Sequence, residues 1–278
     1  MIDFSHPDIV DSVERALEED IGPGDVTSHS CVPEDRMAKG RFLAREEQIV
    51  AGTELLPLIY QARGGVESLA IERSSGACAK DGQTLATVRG RARTLLECER
   101  VALNFLQHLG GIATLARRYA DAVAGTNCRV LDTRKTTPGL RRLEKMAAAA
   151  GGVMNHRMGL YDAILIKNNH IAAAGGVRQA LANASAAGLP IEIEARTRAE
   201  LEEAIAAGAT HLLLDNLTPQ EAAQQIRWIA GRAKVELSGG ITLDNVRAYA
   251  ETGADYVSSG AITHSAPAVD ISFRLELD

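Results

Sequence analysis

From about residue 127 onward the chain repeats one grammar: a short apolar run, then a helix start. The runs are "RVLD" (129–132), "AILIK" (163–167), "IEIEA" (191–195), "HLLLD" (211–215), "VELSG" (235–239) and "YVSSG" (256–260). Near-continuous apolar runs of this length suit strands covered on both faces, as parallel strands are. Helix starts fall between them. Thr197 with Glu200 opens one, Thr218-Pro219-Gln220-Glu221 opens another with proline at the first helical position, and Thr242 opens a third. Strands alternating with helices predict βαβ units and a parallel sheet. A recurrence of roughly 20–25 residues favours a (β/α) barrel over an open doubly wound sheet. No GxGxxG follows a strand, so a dinucleotide fingerprint is missing.

The first part, to about Leu109, is mixed. "HPDIVDSVERALEED" predicts a helix with Ile9, Val13, Ala16 and Leu17 on one face. "DIGPGDVTS" breaks it, and residues 38–90 carry short strand patterns: "KGRFLARE", "QIVAGTELL", "AIERSSG" and "TLATVRG". "RTLLECERVALNFLQHLG" predicts a long helix, with Thr94 and Glu97 as a capping box and an apolar stripe from Leu95 to Leu109.

Several classes fall away. Net charge is −6, which gives no support for a nucleic-acid partner. The acid-bearing start does not fit a signal peptide, and no run approaches about 18 uninterrupted apolar residues, so no membrane span is expected. Cys31, Cys78, Cys98 and Cys128 are scattered, without a CxxC pair, and are expected to be small buried residues of a cytoplasmic protein.

Parallel α/β architectures bind ligands at the C-terminal ends of their strands. There the chain places Asp132, Thr133, Arg134, Lys135 and Thr136, then Lys167 and Asn168, then Asp215 and Asn216. Glu192 and Glu194, two apart, share a face of their strand. Ser238-Gly239-Gly240 and Ser258-Ser259-Gly260 end the last two runs. Glycines let backbone N–H groups approach a phosphate closely, so these two exits suit a phosphate cradle; plain turn chemistry is the bland alternative. Glu194 and Asp215 lie 21 residues apart, one βα unit, and suit Mg²⁺ shared with substrate phosphates, against the alternative of surface ion pairs. Arg134, Lys135, His156, Arg157 and Lys167 form a cationic group that suits a substrate with more than one negative charge.

Together "ERVALN", "DTRKTTPGLR", "GGVMNHRMGLYDAILIKNNHI", "EIEA", "LLLDN", "SGGITLDN" and "YVSSGAITHS" resemble the quinolinate phosphoribosyltransferase family, and the resemblance covers nearly the whole chain. One departure stands at Gly110, where the family's "LSGIAT" has serine. The resemblance implies an α/β sandwich over residues 1–110, joined by the tail 266–278, and an open seven-stranded α/β barrel over 111–265. It implies transfer of ribose 5-phosphate from phosphoribosyl pyrophosphate (PRPP) to quinolinate, with loss of pyrophosphate and CO₂, giving nicotinate mononucleotide for NAD synthesis. It places Arg134, His156, Arg157 and Lys167 around the quinolinate carboxylates. It puts Lys135 near the bond between ribose and pyrophosphate, Mg²⁺ and the ribose hydroxyls on Glu194 and Asp215, and the 5-phosphate on Ser238, Gly239, Gly240, Ser259 and Gly260. It also implies a homodimer in which Arg100 completes the partner's quinolinate site; whether dimers pair further is not legible. Lys135 and Lys167 are both candidates for the acid that protonates the carbanion left by CO₂. A Schiff-base aldolase using Lys167 explains one lysine but neither the glycine exits nor the two carboxylates. A pyrophosphorylase of another substrate would not need the whole cationic group, and a non-enzymatic sensor would be expected to lose Glu194 or Asp215.

Overall fold

The structure is a computed structural model and describes residues 4–277; the extreme ends of the expected domain spans, residues 1–3 and 278, lie outside the described residues. The chain divides into two compact units, Met1–Arg117 with Thr136–Gly152 and Ile262–Asp278, and Arg118–Lys135 with Val153–Ala261. Residues 136–152, inside the span read as barrel, belong to the first.

In the first unit, α1 (Pro7–Ile21) begins at His6, whose ring accepts the Asp8 N–H, and Pro7 takes the first helical position. Its buried stripe is Ile9, Val13, Leu17 and Ile21. Asp25 caps α2 (Val26–Cys31) by accepting two backbone N–H groups. Next come β1 (Met37–Ala44), β2 (Gln48–Ile49), α3 (Leu56–Gln61), β3 (Ser68–Ile71), β4 (Cys78–Ala79), β5 (Thr84–Arg91) and α4 (Ala92–Ala122). The expected strand "QIVAGTELL" keeps only Gln48–Ile49. Gly52 turns left-handed (φ 90°), and a short 3₁₀ turn at Thr53–Leu55 leads into α3. Thr94 is not an N-cap: α4 starts directly after β5, where the Arg36 carbonyl takes the Ala92 N–H.

The remaining elements are β6 (Arg129–Leu131), α5 (Arg141–Ala150), β7 (Ile164–Ile166), α6 (Asn168–Ala174), α7 (Val177–Ser185), β8 (Ile191–Glu194), α8 (Arg198–Ala206), β9 (His211–Asp215), α9 (Pro219–Ile229), β10 (Lys234–Ser238), α10 (Val246–Ala250), β11 (Tyr256–Ser258), α11 (Ala261–His264) and β12 (Ile271–Leu277). All six expected strands of the repeating part form one parallel sheet in the order β6-β11-β10-β9-β8-β7. Both capping boxes form: Thr197 with Glu200 at α8 and Thr218 with Glu221 at α9. Thr242 instead makes a turn onto Asn245, and α10 begins only at Val246. The seventh strand is reduced to a single parallel bridge between Leu131 and Met154. Beyond that bridge the Asp132 carboxylate takes over, accepting the His156 N–H at 2.8 Å and the Asn155 side-chain amide at 2.6 Å. Among the described residues no ladder joins β7 to this segment, so the barrel stays open.

In the first unit β12 returns to pair with β1, completing an antiparallel sheet of order β12-β1-β5-β3. Phe273 lies over Gly40, where a β-carbon would sit 2.1 Å from its ring. Only glycine fits that approach. The cysteines split: Cys98 and Cys128 are buried, their thiols pushed up to about 12 chiefly by desolvation, whereas Cys31 and Cys78 are exposed, contrary to expectation.

Gly110 has a visible consequence. Gln48 is buried, and its side-chain carbonyl oxygen lacks a hydrogen-bond partner. A β-carbon on Gly110 would lie 3.2 Å from that oxygen and 2.8 Å from Val269. Alanine and serine share the crowding, but only serine brings a hydroxyl to the orphaned acceptor. Gly110→Ser is therefore expected to be more stable than Gly110→Ala by about 1 kcal/mol, reversing their helix propensities. Urea midpoints check this; alanine equal to or above serine would contradict it.

Candidate active site

The exits of β8, β9 and β10 lie side by side. Ser238 pairs with Asp215, and Glu194 pairs with Leu213, two residues below the exit of β9. A cavity of about 560 Å³ opens over these ends. Its walls include Arg134, Lys135, His156, Arg157, Lys167, Glu194, Asp215 and Ser238, all of them expected site residues. That volume suits a small-molecule site.

One wall carries carboxylates. Glu194 is buried, and its Oε1 accepts from Asn168 Nδ2 at 2.9 Å and faces Arg196 Nε at 3.3 Å. Asn168 keeps a buried Oδ1 with no hydrogen-bond partner beside this carboxylate. Asp215 accepts from Asn216 Nδ2 at 2.6 Å. Asn216 is left-handed (φ 58°) and donates its N–H to the Ser238 carbonyl at 2.9 Å, which ties the exit of β9 to that of β10. Carboxylates plus an orphaned amide oxygen are hard donors, and the set fits Mg²⁺. Arg196 was missed in the sequence; its position two residues after Glu194 was the available signal.

Arg134 and Lys135 follow β6 and Lys167 follows β7, whereas His156 and Arg157 stand on the loop between the Met154 bridge and β7. Asp132 holds its start, as above. Asp162 holds its end, accepting the Met158 and Gly159 N–H groups at 2.6 and 2.9 Å. Between them Arg157 donates from Nη1 to the Ala163 carbonyl at 3.1 Å. Burial, then the charge of Arg134, lowers the Arg157 pKa, while Asp162 and Glu192 oppose the shift. Two guanidiniums crowded this closely favour an anionic ligand. His156 stands beside Arg157 on this loop and lines the cavity. Its Nδ1 accepts the Arg157 N–H at 2.7 Å, which leaves Nε2 to carry a ring proton.

The glycine exits divide. Gly239 and Gly240 are left-handed (φ 92° and 62°), and a β-carbon on Gly239 would fall 2.2 Å from Asn216 Oδ1. This exit has the open backbone that a phosphate needs. Ser259 is turned away: its buried hydroxyl donates to the Ile241 carbonyl at 2.7 Å and its N–H to Leu131 at 3.2 Å. It ties β11 into the barrel, and Gly260 follows it on that exit. Arg100 is exposed on α4, in the first unit.

Glu236 also lines the cavity, and sequence reasoning passed over it. It sits two residues before Ser238 and therefore on the same face of β10; the alternation that linked Glu192 to Glu194 would have found it. His156 Nε2 faces Glu192 Oε2 at 3.3 Å and Glu236 Oε2 at 3.5 Å.

Comparison with known proteins agrees with this geometry. Residues 25–110 match the model of the quinolinate phosphoribosyl transferase N-terminal domain, and residues 112–274 that of the C-terminal domain. The chain is 41% identical over 273 residues to the nicotinate-nucleotide pyrophosphorylase [carboxylating] of Mycobacterium leprae, covering 95% of this chain and 96% of that protein. It is 37% identical over 298 residues to quinolinate phosphoribosyltransferase [decarboxylating] 1b of Nicotiana tabacum, covering 99% and 85%. The crystal structure of NadC from Streptococcus pyogenes superposes with a TM-score of 0.94 at 38% identity, each chain covered completely. Two domain models spanning most of the chain, full-length relatives, and one cavity holding the expected cations and carboxylates lead to one conclusion: this chain belongs to the quinolinate phosphoribosyl transferase family.

Proposed function

We propose that the chain transfers the 5-phosphoribosyl group of PRPP to the ring nitrogen of quinolinate and decarboxylates the adduct, releasing nicotinate mononucleotide, pyrophosphate and CO₂. One observation carries the reading: Arg134, Lys135, Arg157 and Lys167 share a cavity with Glu194 and Asp215, beside the glycine exit of β10. The guanidiniums of Arg134 and Arg157, with Lys167, bind and orient the two carboxylates of quinolinate. Ser238 and the open backbone at Gly239 and Gly240 receive the 5-phosphate, with Gly260 across from them. Lys135 stands by the pyrophosphate oxygens. As the ribose–pyrophosphate bond lengthens, the anomeric carbon gains positive charge, which the carboxylates of Glu194 and Asp215 stabilise. Glu194, Asp215 and the Asn168 amide oxygen would hold Mg²⁺, which supplies charge neutralisation for the leaving pyrophosphate. Once the nitrogen is alkylated its positive charge stabilises the carbanion left by CO₂.

The active enzyme in this reading is a homodimer, with Arg100 of each chain completing the quinolinate site of its partner, and it works in the cytoplasm. No helix among the described residues is long and apolar enough to cross a membrane. The test is a coupled one. Chromatography should detect nicotinate mononucleotide from quinolinate, PRPP and Mg²⁺, and excess EDTA should abolish it. Full activity in EDTA would remove the metal from the proposal; no product under any condition would remove the activity.

A further inference from the structure

A buried carboxyl stands between two cavities of the barrel. Glu236, 4% exposed, lines the site cavity with Lys135, Lys167 and Asp215. It also lines a second cavity, of about 210 Å³, walled by Pro190, Ile191, His211 and Tyr256. β8, β9 and β11 begin at Ile191, His211 and Tyr256, so this second space lies toward the opposite end of the barrel from the site.

The groups facing Glu236 are defined. From β8 comes Glu192, whose carboxylate, with the His156 ring and the Glu236 carboxyl, forms a cluster with atoms within 4.8 Å of one another; from β11, the Ser258 hydroxyl; from the loop that carries Arg157, His156 at 3.5 Å, while Arg157 lines both cavities. Two carboxyls this close in a buried place repel one another when both are ionised, which favours a proton on one of them. One ring nitrogen, His156 Nε2, faces both carboxyls, so a single imidazole cannot neutralise two carboxylates. Desolvation, then the charge of Glu192, pushes Glu236 up to about 8, with His156 and Ser258 opposing. The protein therefore keeps an acid at the floor of its cation pocket, and the steps described above leave it unused.

We infer that Glu236 delivers the proton that replaces CO₂, and that the second cavity recharges it from solvent. This rests on the decarboxylating reaction proposed above. The bond from ring carbon 2 to its carboxylate breaks and its electron pair stays on the ring, so CO₂ leaves uncharged. The Glu236 O–H bond then breaks and its proton joins carbon 2. The resulting carboxylate regains one proton from water through the second cavity, so each turnover draws one proton from solvent. The donor must stand where the departing carboxylate was bound, beside Arg134 and Arg157, and Glu236 lines that space.

Glu236→Gln separates this role from a purely positioning one. Glutamine keeps the size and an acceptor for His156 Nε2–H, but its amide is no acid. The kcat for CO₂ release should fall at least about 100-fold, with both KM values within about threefold. In the wild type kcat should decline as pH rises through about 8, because the donor must be protonated; the residual rate of the variant should lack that decline. Glu236→Asp, which keeps an acid, should recover part of the loss, and a melting curve shows that each variant is folded. A Glu236→Gln enzyme with wild-type kcat would overturn the inference. So would a loss confined to the KM for quinolinate, which would make Glu236 a positioning residue. A wild type that releases no CO₂ would overturn the reaction itself, an outcome distinct from both.

Discussion

Arg157→Ala is expected to lose quinolinate binding by at least about 100-fold while the protein stays folded. Arg157 is half-buried beside Arg134, on a loop fixed by Asp132 and Asp162 rather than by Arg157 itself. Its one described side-chain bond goes to the Ala163 carbonyl, which water can take over in the variant. The melting temperature should therefore drop by only a few degrees. Arg157→Lys keeps the charge but not the two-pronged donor geometry and should restore only part of the affinity. Calorimetric titration with quinolinate checks this directly. An unchanged dissociation constant would take Arg157 out of the site. The same reasoning makes nicotinic acid, with one carboxylate fewer, a poor substrate, since it would leave a half-buried guanidinium without its carboxylate.

The second large effect concerns two chains. Arg100 lies on α4 in the first unit, whereas every cation that lines the cavity belongs to the second. Arg100→Ala and Lys167→Ala should each be nearly inactive. Mixed at random, half the dimers are heterodimers; in each, one site carries both defects and its twin carries neither. Activity should return to about a quarter of wild type. Recovery requires subunit exchange, which native mass spectrometry shows. Exchange without recovery would place Arg100 in the site of its own chain, or in none.

Much of the barrel was legible because parallel strands are covered on both faces. "HLLLD" and "VELSG" read as strands with little ambiguity, and they became β9 and β10. Capping boxes at Thr197 and Thr218 were equally plain, since each pairs a hydroxyl with a glutamate three residues on. Thr94 and Thr242 carried similar signals and failed for one reason: the backbone already had a partner. Arg36 receives the Ala92 N–H and so starts α4 early, while Thr242 closes a turn with Asn245. The seventh strand was illegible because a side chain replaces it. Asp132 accepts two donors from Asn155 and His156, and periodicity cannot show that kind of support.

The site followed the same division. Residues at strand exits were found because position alone nominates them, and eight converge on one cavity. Local bonds that position does not show hold two of the expected residues: the Ser259 hydroxyl donates to the Ile241 carbonyl, and His156, which lines the cavity, meets the Arg157 N–H and the glutamate pair. Glu236 lay one step below the exit, where the reading of strand ends stopped.

The most direct measurement uses quinolinate labelled at the carboxylate on ring carbon 2. With PRPP and Mg²⁺ the enzyme should release labelled CO₂ and pyrophosphate in equal amounts, and no CO₂ when PRPP is omitted. Pyrophosphate without CO₂, CO₂ without PRPP, or neither product from a folded enzyme would contradict the account.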